Sequence, residues 1–216
     1  MSIIASLSQK AAIRYSGWLV RYPLLTRATT TSLLMTTGDA LAQCIFNKDM
    51  SFDWQRSARV AAVGFVVTGP CLYGWFNIAL PRIVAFSLFD RLSKTQKAIL
   101  GTAIDQSTFS WWIVSNYLFW VSYLQHRDLG QAVDNVRWNI MPSLIVNWTY
   151  WPLIMFLNLR LVPIAYRVIT INFASIFWNL YLSWRNQMGL EQRGISKIGM
   201  HHIEAGLHDG PREQLK

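Results

Sequence analysis

The chain has 216 residues, of which 52% are hydrophobic and only 14% charged, and eleven are tryptophan. A soluble protein carries roughly 25% charged residues, so this chain lacks the charge to coat a water-facing surface. Its net charge of +9 would suit a nucleic-acid binder, but the basic residues sit in short loops and tails beside apolar segments. There they meet lipid head groups and set orientation.

Met1 to Arg27 contains Lys10, Arg14, Arg21 and Arg27, several serines, and no acid before Asp39. A basic, serine-containing, acid-poor start is that of a mitochondrial targeting stretch, and it lacks the continuous apolar core of a secretory signal. Residues 1–22 also suit an interfacial amphipathic helix that leads into a first span.

Pro23 to Phe46 is long enough to cross a bilayer but carries Arg27 and Asp39. Three later stretches have no charged side chain: between Arg59 and Arg82, between Asp105 and Arg127, and between Arg137 and Arg160. Each slightly exceeds the ~20 apolar residues that a ~30 Å hydrocarbon core requires. Leu161 to Trp184 is interrupted by Pro163 and Arg167, leaving an uncharged run only from Val168 to Trp184. The expected fold is all-α: an integral membrane helical bundle over residues 23–184 with four to five transmembrane helices. The last segment either crosses or leans on the rest.

The connections Asn47–Ala58, Arg82–Lys97 and His126–Arg137 are short. Residues 185–216 form a polar, glycine-rich tail in which His201, His202 and His208 are expected to be solvated rather than metal-bound. Cys44 and Cys71 lie far apart and form neither a disulfide framework nor a zinc motif. If every span crosses, the N-terminal flank and the loop with Arg82, Arg91, Lys94 and Lys97 share the more basic side. Asp49, Asp53, Asp128 and Asp134 lie on the other.

Polar residues recur at helical spacing within the apolar segments. Thr29, Ser32, Thr36, Asp39 and Gln43 form one such face, and Asn139, Ser143, Asn147, Tyr150 and Asn158 another. Asn172, Ser175, Asn179 and Ser183 repeat the pattern, and Thr102, Asp105, Gln106 and Ser110 contribute a fourth set. These faces either hydrogen-bond across helices as structural glue or line a water-filled path. Asp39 and Asp105 stand out, because a carboxylate within a span costs about 2.5–3.5 kcal/mol on insertion scales and needs a cation, a hydrogen-bond network or water. Arg27, Arg59 and Arg167 are the candidate counter-ions.

Gly64, Gly69 and Gly74 suit close helix approach. Gly69-Pro70 suggests a bend, and Pro142, Pro152 and Pro163 suggest further breaks. Trp18, Trp54, Trp138, Trp178 and Trp184 stand near segment ends, where aromatic belts form. Trp75, Trp111, Trp112, Trp148 and Trp151 lie further in, as packing residues. Asn147-Trp148-Thr149 matches a glycosylation acceptor, but lies inside a span.

Several of these residues carry a resemblance: Tyr22-Pro23 with Thr26, Gly38-Asp39 with Gln43, then Asp53, Arg56, Arg59, Gly64, Gly69-Pro70 and Trp75. Asp105-Gln106 follows, and then Trp148, Trp151-Pro152, Asn158, Val162-Pro163, Arg167, Trp178 and Tyr181-Leu182-Ser183. From Trp18 to Trp184 the chain resembles the family that contains the 22-kDa peroxisomal membrane protein and the Mpv-seventeen protein. It departs where Met155 replaces a frequent glutamine, where Leu159 replaces a phenylalanine, and where Ser110 stands near a common proline, so a precise polar site in the fourth span does not carry over. The resemblance implies a small multi-span protein of the mitochondrial inner or the peroxisomal membrane. Some members are described as weakly selective channels linked to metabolite or nucleotide supply and mitochondrial DNA maintenance.

No nucleophile–base set, metal cluster or phosphate loop is visible, so neither an enzyme nor a cofactor is expected. The expected function is a weakly selective channel of the mitochondrial inner membrane that supports mitochondrial homeostasis. Asp39, Gln43, Arg59, Asp105, Gln106, Asn147, Asn158 and Arg167 are its candidate pore-lining or buried polar residues, with helix bends at Gly69, Pro70, Pro152 and Pro163. The alternative is an accessory subunit packed against a larger membrane complex. Expected partners are the lipid bilayer and either a second copy or such a complex, not nucleic acid.

Overall fold

The computed structural model describes residues 14–46, 51–86, 89, 91–162 and 170–188. Among them every regular element is a helix. A short helix α1 covers residues 14–21 and α2 runs Pro23–Phe46. Helix α3 covers Trp54–Val84, α4 covers residues 94–126, and α5 covers Leu129–Leu161. Helix α6 covers residues 170–188, four residues past the expected end of the bundle at Trp184. The expected targeting residues 1–13, the histidine-bearing tail from 189 onward and the Pro163–Arg167 break lie outside the described residues.

Local chemistry sets the boundaries. The Asp53 side chain accepts the Arg56 amide at 2.8 Å and starts α3. Ser93 and Gln96 form a reciprocal capping box at the start of α4, satisfying two orphan donors at once. At the far end of α4 Arg127 adopts φ 55, a left-handed stop, and Asp128 immediately caps α5. A two-residue reversal therefore holds α4 and α5 antiparallel. Val162 is extended after α5, as the residue before Pro163 should be.

Helix α3 passes through its prolines without ending. It widens to a π turn at Gly64–Thr68 just before Pro70, and again at Trp75–Ala79 before Pro81. Proline lacks an amide proton and crowds the carbonyl one turn back, and the wider turn relieves that crowding. The expected bend at Gly69-Pro70 takes this form. Pro142 and Pro152 likewise lie inside an uninterrupted α5, so the breaks expected there do not occur.

Glycine sets the α2–α3 distance at two of the three expected positions. A Cβ on Gly69 would lie 2.5 Å from the Ala28 Cα, and one on Gly64 2.8 Å from the Ser32 Cα. Gly74 faces open space within 4 Å and plays no part in this approach. The apolar core joins Met35, Val60, Val63, Tyr117, Leu118 and Leu144 to Trp178 and Leu182. Trp178 is therefore a core residue rather than part of an aromatic belt, whereas Trp18, Trp54 and Trp138 are exposed.

The distribution of polarity is inverted relative to a soluble domain. Asp39, Asn135, Asn139, Ser122 and Ser143 are buried to 1% exposure or less, while Val20, Leu33, Val66, Ile145, Phe156 and Leu161 point outward. Two helices, Trp54–Val84 and Leu129–Asn158, are long and apolar enough to cross a membrane. Only 22% and 17% of their most apolar windows are buried, which is not how core helices of a soluble protein sit.

Candidate functional site

The interior holds three polar centres. The first joins α2, α3 and α6 around the Asp39 carboxylate, which is fully buried. Arg56 Nε donates to its Oδ1 at 2.8 Å, and Ser183 Oγ donates to the same oxygen. Ser57 Oγ at 2.6 Å and Gln43 Nε2 at 3.0 Å donate to Oδ2. Arg56 also donates to Ser183 Oγ at 2.9 Å, and Gln43 Oε1 accepts the Asp53 amide at 2.8 Å. Gly38 makes this possible: a Cβ there would lie 2.6 Å from the Asn179 Cβ and 2.7 Å from the Leu180 nitrogen. Only glycine lets α6 come near enough for Ser183 to reach α2.

Among the described residues the counter-ion of Asp39 is thus Arg56, not Arg27 or Arg59. Arg59 stands about 60° round and about 4.5 Å further along α3 than Arg56, one turn past the level of Asp39. Arg59 is left at 3.5 Å from Asp53 near the surface. Arg167 lies outside the described residues.

The second centre ties α4, α5 and α6 together. Asn135 Nδ2 donates to the Leu118 carbonyl at 2.9 Å and to Asn186 Oδ1 at 2.6 Å, and Asn139 Nδ2 donates back to Asn135 Oδ1 at 2.8 Å. Asn135 was missed at the sequence level, although it stands one turn before Asn139 on the same face. Asn186 lay beyond the expected end of the bundle.

The third centre lies between α3, α4 and α5. Trp75 Nε1 donates to Asp105 Oδ1 at 2.7 Å, and Gln106 Nε2 donates to Oδ2 at 2.9 Å. Asn147 Nδ2 donates to Gln106 Oε1 at 3.2 Å. A π turn at Asp105–Phe109 underlies the arrangement: the Ser110 amide bonds the Asp105 carbonyl, five residues back. That releases the Gln106 carbonyl, which instead accepts Ser110 Oγ at 2.5 Å and Trp148 Nε1 at 3.0 Å. Trp75 stacks on Phe109 at 4.7 Å with the rings nearly parallel. The two tryptophans expected only to pack are therefore donors to this centre. An open groove lined by Thr95, Ile99, Thr102, Ala103 and Gln106 runs along α4 up to it.

Among the described residues Asp105 has no cation as a hydrogen-bond partner, and it is only half-buried. Asp39 and Asp105 do not share a centre. Asn158 is buried on α5, its Oδ1 without a partner among the described residues. Arg27 lies over the Tyr73 ring, away from both carboxylates. Cys44 and Cys71 are free thiols. Among the described residues no three His, Cys, Asp or Glu side chains group as metal ligands.

A sequence model of the Mpv17 / PMP22 family matches residues 122–183, the stretch from the last turn of α4 through most of α6. The chain is 33% identical to "Protein sym-1" of Neurospora crassa over 80% of its length and 96% of that relative. It is 28% identical to "Protein SYM1" of Saccharomyces cerevisiae over 87% of its length and 94% of the relative. It is 27% identical to "PXMP2/4 family protein 2" of Dictyostelium discoideum, over 78% of its length and 87% of the relative. No solved structure matches the chain.

Proposed function

The chain belongs to the Mpv17 / PMP22 family, and from that premise we propose that it is a multi-span membrane protein that passes small solutes across the mitochondrial inner membrane with weak selectivity. In this reading α2 to α5 cross the bilayer, and α6 crosses as the fifth helix. Helices α2, α4 and α6 carry polar residues on their inward faces, which lowers their average apolarity without presenting those groups to lipid. The apolar outer surface over a polar interior supports the arrangement. The basic, acid-poor N-terminal stretch favours the mitochondrion; the peroxisomal membrane is the alternative. The role is non-catalytic.

The observation that carries the channel reading is Asp105. Its carboxylate is half-buried and held by two neutral donors, level with Asn147, which lies near the middle of the uncharged run between Arg137 and Arg160. A carboxylate at that depth without a cation calls for water or a passing ion. Purified protein in planar bilayers is expected to conduct, and Asp105→Asn to shift the reversal potential in a salt gradient. A folded but electrically silent preparation would sink the proposal.

A second reading has its own observation. Around Asp39 the donors and the carboxylate satisfy one another completely, as in structural glue, and the outer surface is rich in exposed aromatic side chains. These features suit a bundle packed against its own copy or a larger membrane complex. After mild solubilisation, native electrophoresis is then expected to show a large species. Migration only as a small free protein counts against this reading.

A further inference from the structure

Helix α2 places a second ion on the far side of α3 from Asp105. Ala28 packs against Gly69, and the Arg27 guanidinium lies over the Tyr73 ring, 5.7 Å from its centroid. Arg27 is the fifth residue of α2, one turn inside the start of that proposed span, where a cation can meet head-group phosphates. Trp75, two residues beyond Tyr73, holds Asp105. Residues two apart on a helix point about 200° away from each other, so α3 separates the two charges.

No carboxylate among the described residues neutralises Arg27. Asp39 is engaged by Arg56, Asp53 by Arg59 and Asp134 by Arg137, while Asp128 caps α5 at the opposite end of the bundle. Arg27 Nε is shielded from solvent and has no hydrogen-bond partner. A planar guanidinium fork matches the several acceptor oxygens of a tetrahedral oxyanion.

We propose that the seam formed by Arg27 and Tyr73 is an anion site that takes a phosphate group, borne either by an acidic lipid head group or by a phosphate-bearing solute. That the seam meets lipid head groups rests on the membrane-spanning reading given above. The contacts around Arg27 do not.

The test uses the full-length protein, purified in neutral detergent and stripped of lipid. Binding is measured for radiolabelled inorganic phosphate, and separately for phosphatidylglycerol against phosphatidylcholine in mixed micelles. The wild type is expected to bind at least one of them saturably. Arg27→Gln should weaken that binding at least about tenfold, the loss of a charged hydrogen-bonding partner. Arg27→Lys, which keeps the charge but not the fork, should weaken it less, and Arg137→Gln, at an exposed arginine, should leave it unchanged. Phosphate binding alone identifies a solute site; preference for phosphatidylglycerol alone identifies a lipid site. A wild type that binds neither, or an Arg27→Gln variant that binds as the wild type does, overturns the proposal. If Arg27→Gln does not fold, Tyr73→Leu and Arg27→Lys carry the comparison. An electrically silent protein that binds phosphate through Arg27 refutes the channel and keeps the anion site; a conducting protein indifferent to Arg27→Gln does the reverse.

Discussion

At the residue scale the Asp39–Arg56 pair shows how a charge survives in an apolar interior. The carboxylate is fully buried, and each of its oxygens accepts two hydrogen bonds. Removing one member strands the other, which costs about 3–5 kcal/mol in buried pairs. Arg56→Gln or Asp39→Asn is expected to lower the thermal transition of the detergent-solubilised protein sharply. The double variant should lose less than the sum of the single losses; strict additivity would show that the two side chains are not coupled. Glycine provides a sharper contrast. Gly38→Ala drives a methyl group into the backbone of α6 and should undock it, whereas Gly74→Ala meets open space. Gly74→Ala should even gain slightly, because alanine favours the helix by about 1 kcal/mol. Comparing the melting transitions of the two variants checks both. The importance of Asp39 and Gln43 was legible from the sequence, as polar residues on one face of a span, while Gly38 stood out only in the family resemblance. Their partner was not, because whether Arg56 or Arg59 faces α2 depends on the register of two antiparallel helices.

At the element scale the π turns decide which backbone groups are available. In a regular α-helix the Gln106 carbonyl would be consumed by the Ser110 amide; here it accepts Trp148 and the Ser110 hydroxyl instead. Trp148→Phe removes one of these donors and Trp75→Phe removes a donor to Asp105. Each should cost about 1–3 kcal/mol, the penalty for an acceptor left without its partner. Far-ultraviolet dichroism should stay unchanged in both, and only the melting transition should move. A loss of helix content would mean that the tryptophans hold up the helices rather than the polar centre. Proline was read from the sequence as a point of bending or breaking. Helix α3 absorbs Pro70 and Pro81 as wider turns, and α5 runs through Pro142 and Pro152 without interruption.

At the scale of the whole molecule the short connections between α2 and α5 make these helices alternate in direction. Position 51 and position 127 then share one side, with position 92 on the other. In a Cys44→Ser/Cys71→Ser background, an impermeant maleimide added to sealed vesicles should label Ser51→Cys and Arg127→Cys from the same side. Leu92→Cys should react only from the opposite side. Labelling of all three from one side would refute the proposed crossings. The sequence by itself determined the all-helical class, the low charge, and the polar stripes with their two carboxylates, because composition and periodicity are local properties of the chain. Only the tertiary structure decided that Asp39 is neutralised by Arg56 and sealed by Ser183, while Asp105 has neutral partners and Arg27 lies beyond α3. Those pairings depend on helix register and on how closely Gly38, Gly64 and Gly69 let the helices approach, and neither property is local.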